Sequence, residues 1–142
     1  TALTAIGFSR FAATMRARMD AAGAAPRARF AASGLGYVEF ALDNPALFRL
    51  MFASDIPDRD DAALRASADD SFAVLLDAVQ SVYGRDPRED QELMIPVTGA
   101  WSIVHGLANL LLAGRLVPIA SLPPREKEQA VLRIVEIMLP KP

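Results

Sequence analysis

The residues able to do chemistry are few, and the most telling lie together. The stretch AWSIVHGLANLLLAG, residues 100–114, holds the chain's only tryptophan and its only histidine, Trp101 and His105, with no formal charge among them. At a spacing of i, i+4 an indole and an imidazole occupy adjacent positions on one face of a helix. Three roles are open to such a pair. His105 can be a hydrogen-bonded core residue, part of the mostly apolar wall of a small-molecule pocket, or a catalytic base. Catalysis has the least support, because nucleophilic chemistry needs a base oriented beside an activated nucleophile, and the chain has no cysteine and no serine in a recognisable signature. A metal site would join His105 to distant carboxylates with no ligand spacing visible. The acidic group Asp55, Asp58, Asp60 and Asp61 suits a loop and the first turn of a helix, where negative charge is favourable. No cofactor is expected.

Composition narrows the class. A chain of 142 residues with 52% apolar and 23% charged residues is of single-domain size, and a net charge of −2 is unlike that of a basic nucleic-acid binder. The lack of cysteine is compatible with a reducing cytosol, so a cytoplasmic location is expected. The chain opens on Thr1 without a signal-peptide pattern and is read as a fragment or processed chain.

Prolines divide the sequence into segments with helical periodicity, giving an all-α fold of about six helices. The first runs to about Ala22, with Phe8, Phe11, Met15 and Met19 on one face. The second spans about Pro26 to Asp43 and groups Phe30, Tyr37, Val38 and Ala41; Gly34 and Gly36 within it imply close packing or a bend. Asn44 as N-cap and Pro45 at the first position start a short buried helix. A fourth covers about residues 60–84, with a stripe of Leu64, Ala68, Phe72, Leu75, Val79 and Val82. The fifth is expected over about 87–115, kinked or broken early by Pro96. The last runs from about Pro124 to Leu139 with Val131, Ile134, Val135 and Met138 on one side.

The uncharged run from Leu93 to Gly114 is long enough to span a bilayer. Its Pro96, Thr98, Ser102, His105 and Asn109, and the absence of flanking Lys or Arg clusters, argue for a soluble bundle instead. One strip of this helix, Gly99, Ile103, Gly106 and Leu110, permits close helix–helix approach. With Val131, Val135 and Met138 it forms an expected homodimer interface, since a monomer of six helices has little material to cover both sides of its last two.

Two stretches, YVEFALDNPALFRLMFAS at 37–54 and WSIVHGLANLLLAGRL at 101–116, resemble the signatures of the C-terminal regulatory domain of the Trp-His-Gly branch of tetracycline-repressor-like regulators. The three namesake residues correspond to Trp101, His105 and Gly106. Asn44 departs from the more usual basic or histidine residue before the proline. The resemblance implies a single effector-binding and dimerisation domain over residues 1–142. Residues 1–22 would belong to the linker helix behind a helix-turn-helix unit that is absent from these residues, so operator DNA would be bound only through that missing unit. It implies, further, a transcriptional regulator, repressing rather than catalytic, that dimerises through its last two helices and takes a small apolar or aromatic effector among the linker, second, fourth and fifth helices. The candidate pocket residues are Phe11, Met15, Tyr37, Phe72, Trp101 and His105. The rival expectation is a helical dimerisation or interaction domain without a specific ligand.

Overall fold

The computed structural model describes residues 2–53 and 61–141, and within them every regular element is a helix. Seven α-helices follow in order: α1 (Ala2–Ala21), α2 (Pro26–Asp43), α3 (Pro45–Met51), α4 (Ala62–Tyr83), α5 (Met94–Leu112), the single turn α6 (Val117–Ala120) and α7 (Pro124–Glu136). A short 3-10 helix, Gln91–Leu93, leads into α5. Of the acidic group, Asp55, Asp58 and Asp60 lie outside the described residues. Asp61 is the N-cap of α4, its carboxylate accepting the Leu64 amide at 3.2 Å.

α2 is the central helix. It packs against α1, α4, α5 and α7, and its residues from Phe30 to Val38 are all buried. Its two glycines serve packing rather than bending, since the helix is continuous through both. A Cβ built at Gly36 would lie 2.8 Å from Met15 Cα and 3.1 Å from the Thr14 carbonyl oxygen, so the backbones of α1 and α2 touch there. At Gly34 a Cβ would meet the two methyls of Val135 on α7, at 2.6 and 2.7 Å. Asn44 marks the junction of α2 and α3 differently from the expected cap. Its side-chain and backbone nitrogens both donate to the Phe40 carbonyl, at 3.1 and 2.9 Å, finishing α2 rather than starting α3.

Two boundaries differ from the sequence expectation, and both have local causes. The fifth helix begins at Met94 instead of near 87. The preceding residues form turns in which Asp86 and Asp90 accept the amides of Arg88 and Glu92, at 3.0 and 3.1 Å. Pro96 therefore falls in the first turn of α5, where its missing amide has no intrahelical partner to lose, and neither kinks nor breaks the helix. On α4 the deepest residues are Val74, Ala78 and Val79, whereas Ala68, Phe72 and Leu75 are half-buried because they face a cavity.

The segment Gln91–Leu112 is long and apolar enough to cross a membrane. One side of it, including Val97, Val104 and Ala108, is nevertheless buried in the core of this fold.

The contact at Gly36 yields a prediction. Gly36→Ala places a methyl against fixed backbone, and we expect it to lower stability by about 1–3 kcal/mol despite alanine's better helix propensity. Urea unfolding followed by circular dichroism measures the change.

Candidate functional site

The candidate site is a cavity of about 450 Å³ between α1, α2, α4 and α5, the four helices expected to enclose it. α1 contributes Phe8, Phe11 and Met15; α2 contributes Phe30, Ser33, Gly34 and Tyr37. α4 supplies Ala68, Asp69, Ser71, Phe72 and Leu75, and α5 supplies Ala100, Trp101 and Val104. Phe52, just after α3, and Val135 of α7 complete the wall. α4 packs extensively on α1 and only slightly on α5, so the walls part along the α4–α5 side. There Phe72 and Trp101 face each other with ring centroids 5.8 Å apart, and Trp101 remains 41% exposed.

The aromatic side chains form one continuous group. Phe11 lies edge-on to Tyr37 at 4.7 Å and contacts Phe40 at 5.2 Å, and Phe48 and Phe52 meet at 4.9 Å. Offset and edge-to-face pairs of this kind are the favourable geometries for rings whose faces carry negative charge density. They fix α1 and the α3 segment against α2 and hold the wall in shape.

Within this apolar setting one polar cluster is closed on itself. The Trp101 Nε1–H donates to the Tyr37 hydroxyl oxygen at 3.2 Å, and that hydroxyl lies 2.7 Å from His105 Nδ1. An indole can only donate, so Tyr37 accepts from it and keeps its own proton for an acceptor. Neutral His105 with its proton on Nε2 offers one at Nδ1 and takes that proton. Burial disfavours the charged form of both titratable partners, raising the Tyr37 pKa far above the usual phenol value and lowering that of His105. Neither charge is favoured here. No cluster of potential metal ligands occurs among the described residues.

The structure thus brings Phe11, Met15, Tyr37, Phe72 and Trp101 together on the cavity wall. His105 stands behind Tyr37 instead of lining the space, and it packs on Phe48 and Phe52 at 5.5 and 4.9 Å. It is a positioning residue, so the expectation of a histidine in the wall itself is corrected. Two other polar residues of its helix bond back to their own backbone: Ser102 donates to the Thr98 carbonyl at 2.7 Å and Asn109 to that of His105 at 2.8 Å. Sequence reasoning missed Phe8, Phe30, Phe52, Ser33, Ser71 and Asp69. Phe8 and Phe30 carried a signal, since each shares its helix face with a residue that was chosen.

The residues expected at a dimer interface divide into two groups. Val131 and Val135 are 2% and 3% exposed within this one chain, Val135 filling the notch at Gly34, and they have no surface left to offer a partner. That part of the expectation is corrected: a two-sided apolar helix does not reveal which side its own core covers. Gly99 is half-covered by the Met138 methyl. Ile103 is half-buried, Gly106 has open space beside it, and Leu110 is 47% exposed. Ile95 and Ile137, at 76% and 74%, add to the exposed apolar surface.

An all-helical domain with an apolar cavity bounded by its first helix is the class that this architecture defines. Residues 30–138 match the family described as Tetracyclin repressor-like, C-terminal domain, and the chain belongs to that family. Domains of this family are regulatory rather than enzymatic, and they generally dimerise and bind small-molecule effectors. No curated protein matches the chain in sequence. A solved structure of a protein of unknown function from Rhodococcus sp. RHA1 is similar, with a TM-score of 0.78 over 99% of this chain and 71% of that one. At 24% identity the likeness is one of fold.

The closed polar cluster predicts a pH dependence of stability. Unfolded His105 titrates near 6.5, and the folded state holds its pKa below that. As pH falls, the unfolded chain takes up the proton first, so the stability contribution is complete above about pH 6.5 and is lost as pH drops through the lower folded value. We expect the melting temperature of the wild-type chain to fall more steeply across this window than that of His105→Gln. Scanning calorimetry at a series of pH values compares them.

Proposed function

We propose that the domain is the effector-sensing and dimerisation part of a cytoplasmic transcriptional repressor, and that the cavity is its effector site. The observation that carries this reading is the cavity itself. Its volume lies within the roughly 300–1,000 Å³ of small-molecule sites, and its lining is almost wholly apolar with few polar groups, the composition such sites use. An apolar or aromatic effector fits that lining.

The participation of α1 gives the signal a route. Phe8, Phe11 and Met15 belong to the helix that would connect to a preceding DNA-binding unit, so a molecule in the cavity touches the element whose position matters to DNA. An effector acts only through its preference for one arrangement over another. Shifting a population from 1:99 to 99:1 takes roughly 5.5 kcal/mol of differential affinity. Contact with three α1 side chains supplies a means of discriminating positions of that helix. Operator DNA would be bound by the preceding unit and not by this domain.

For the homodimer, the supporting feature is the exposed apolar face of α5 around Ile95, Ile103, Gly106 and Leu110, continued by Ile137 and Met138 beyond α7. The small Gly106, with nothing beside it, admits close approach of a second helix. Val131 and Val135 support that face from within and do not belong to it.

Two measurements test the reading. Native mass spectrometry of the chain is expected to show a dimer, and Leu110→Glu a monomer of unchanged helicity, because a charge placed at an exposed position harms the interface and not the fold. Thermal shift against a panel of apolar and aromatic compounds is expected to show stabilisation by at least one class, about 2.7 kcal/mol at a hundredfold excess over Kd. A monomeric wild-type chain, or a melting temperature that no compound moves, would contradict the corresponding half of the proposal.

A further inference from the structure

Among the described residues of the cavity wall, the polar side chains are all of one hydrogen-bonding kind. Ser33 donates its hydroxyl proton to the Phe30 carbonyl at 2.6 Å, and Ser71 donates to the Ala68 carbonyl at 2.8 Å. Trp101 gives its one proton to Tyr37, and with the His105 proton on Nε2, Tyr37 gives its own to Nδ1. Once these bonds are made, the three hydroxyl oxygens have only lone pairs to offer, and the indole has no donor left. Among the described residues of the wall the one that is charged is Asp69, which is exposed. It makes no hydrogen bond or ion pair with any described residue, whereas its neighbour Asp70 is held by Arg16 through both carboxylate oxygens, at 2.8 and 3.0 Å. Among the described residues, no lysine or arginine lines the space. The aromatic side chains around it present faces of negative charge density, which attract cations.

A wall that accepts and does not donate discriminates by chemistry. A carboxylate or phenolate entering it would find no proton to share and would meet the charge of Asp69. A neutral alcohol would donate once. An ammonium group donates up to three times, satisfies Asp69 with a charge-assisted bond and gains from the ring faces. We propose that the cavity selects apolar or aromatic amines in their ammonium form, with Asp69 at the rim as the counter-ion. This rests on the effector-binding role proposed above and specifies its ligand class.

Three probes that share a tail and differ in the head group test it: 4-phenylbutylamine, 4-phenylbutanol and 4-phenylbutanoate. Each is titrated into the wild-type chain and into Asp69→Asn, read by calorimetry and by the fluorescence of Trp101, the chain's only tryptophan. The amine is expected to bind about tenfold more tightly than the alcohol, with the carboxylate weakest, as charge-assisted bonds outweigh neutral ones. Asp69→Asn should remove the gap between amine and alcohol, and salt should narrow it in the wild type, because Asp69 is exposed to screening. Alcohol or carboxylate binding as tightly as amine overturns the preference, as does a gap that survives Asp69→Asn. If all three fail while the neutral dye Nile red binds, the amine preference alone is overturned. If Nile red fails as well, so does the effector-binding role beneath it.

Discussion

Everything in this fold is set out from the line where α1 and α2 lie backbone to backbone. A helix pair can approach that closely only where one partner lacks a side chain, and Gly36 provides the gap against Met15 and Thr14. With the axes so near, Phe11 reaches Tyr37, Phe40 and Phe48 at once, and the aromatic group becomes rigid. The cavity is the complement of this contact. Because α1 is bound tightly to α2 and to α4, while α4 meets α5 only slightly, the unfilled volume collects on the α5 side.

The same economy of space governs the polar groups. A tyrosine and a histidine in an apolar interior each require a partner, since an unsatisfied buried group costs about 1–3 kcal/mol. Pairing them with each other and with Trp101 gives the Tyr37 hydroxyl two partners and, with the His105 proton on Nε2, leaves no free side-chain donor among the described residues of the cavity wall. What looks in the sequence like a set of reactive handles is, in the folded chain, a structural closure.

Much of this was legible in the residues. The stripe of Phe8, Phe11, Met15 and Met19, the boundaries at Pro26, Pro45 and Pro124, and the glycines of α2 translated directly into elements and contacts, because periodicity and backbone freedom are local properties. Distances between faces are not local. Periodicity places Tyr37 on an apolar face and His105 beside Trp101, in line with Thr98, Ser102 and Asn109, but cannot say that the two polar tips meet, which converts an expected wall residue into a support. Nor can it assign the two apolar sides of α7, where Val135 fits the notch at Gly34 only because two elements distant in sequence are brought together. Pro96 illustrates the reverse error. Its effect depends on where the helix begins, and the preceding turns, capped by Asp86 and Asp90, moved that start to within two residues of it.

The two arginines near the end of α1 have a mechanical meaning. Arg16 reaches Asp70 on α4, and Arg18 reaches Glu39 on α2 and Glu128 on α7, at 2.7 and 3.2 Å. Guyed from both sides and pressed on Gly36 at Met15, this part of the helix is anchored, and toward its other end Thr4 and Phe8 are still buried while Leu3 and Ile6 are more than half exposed. From Met15 to Ala2 the helix extends about 20 Å, so a ligand that tilted it by about 10° at Met15 would move the far end by roughly 3.5 Å, more than it moved the cavity wall, by leverage alone.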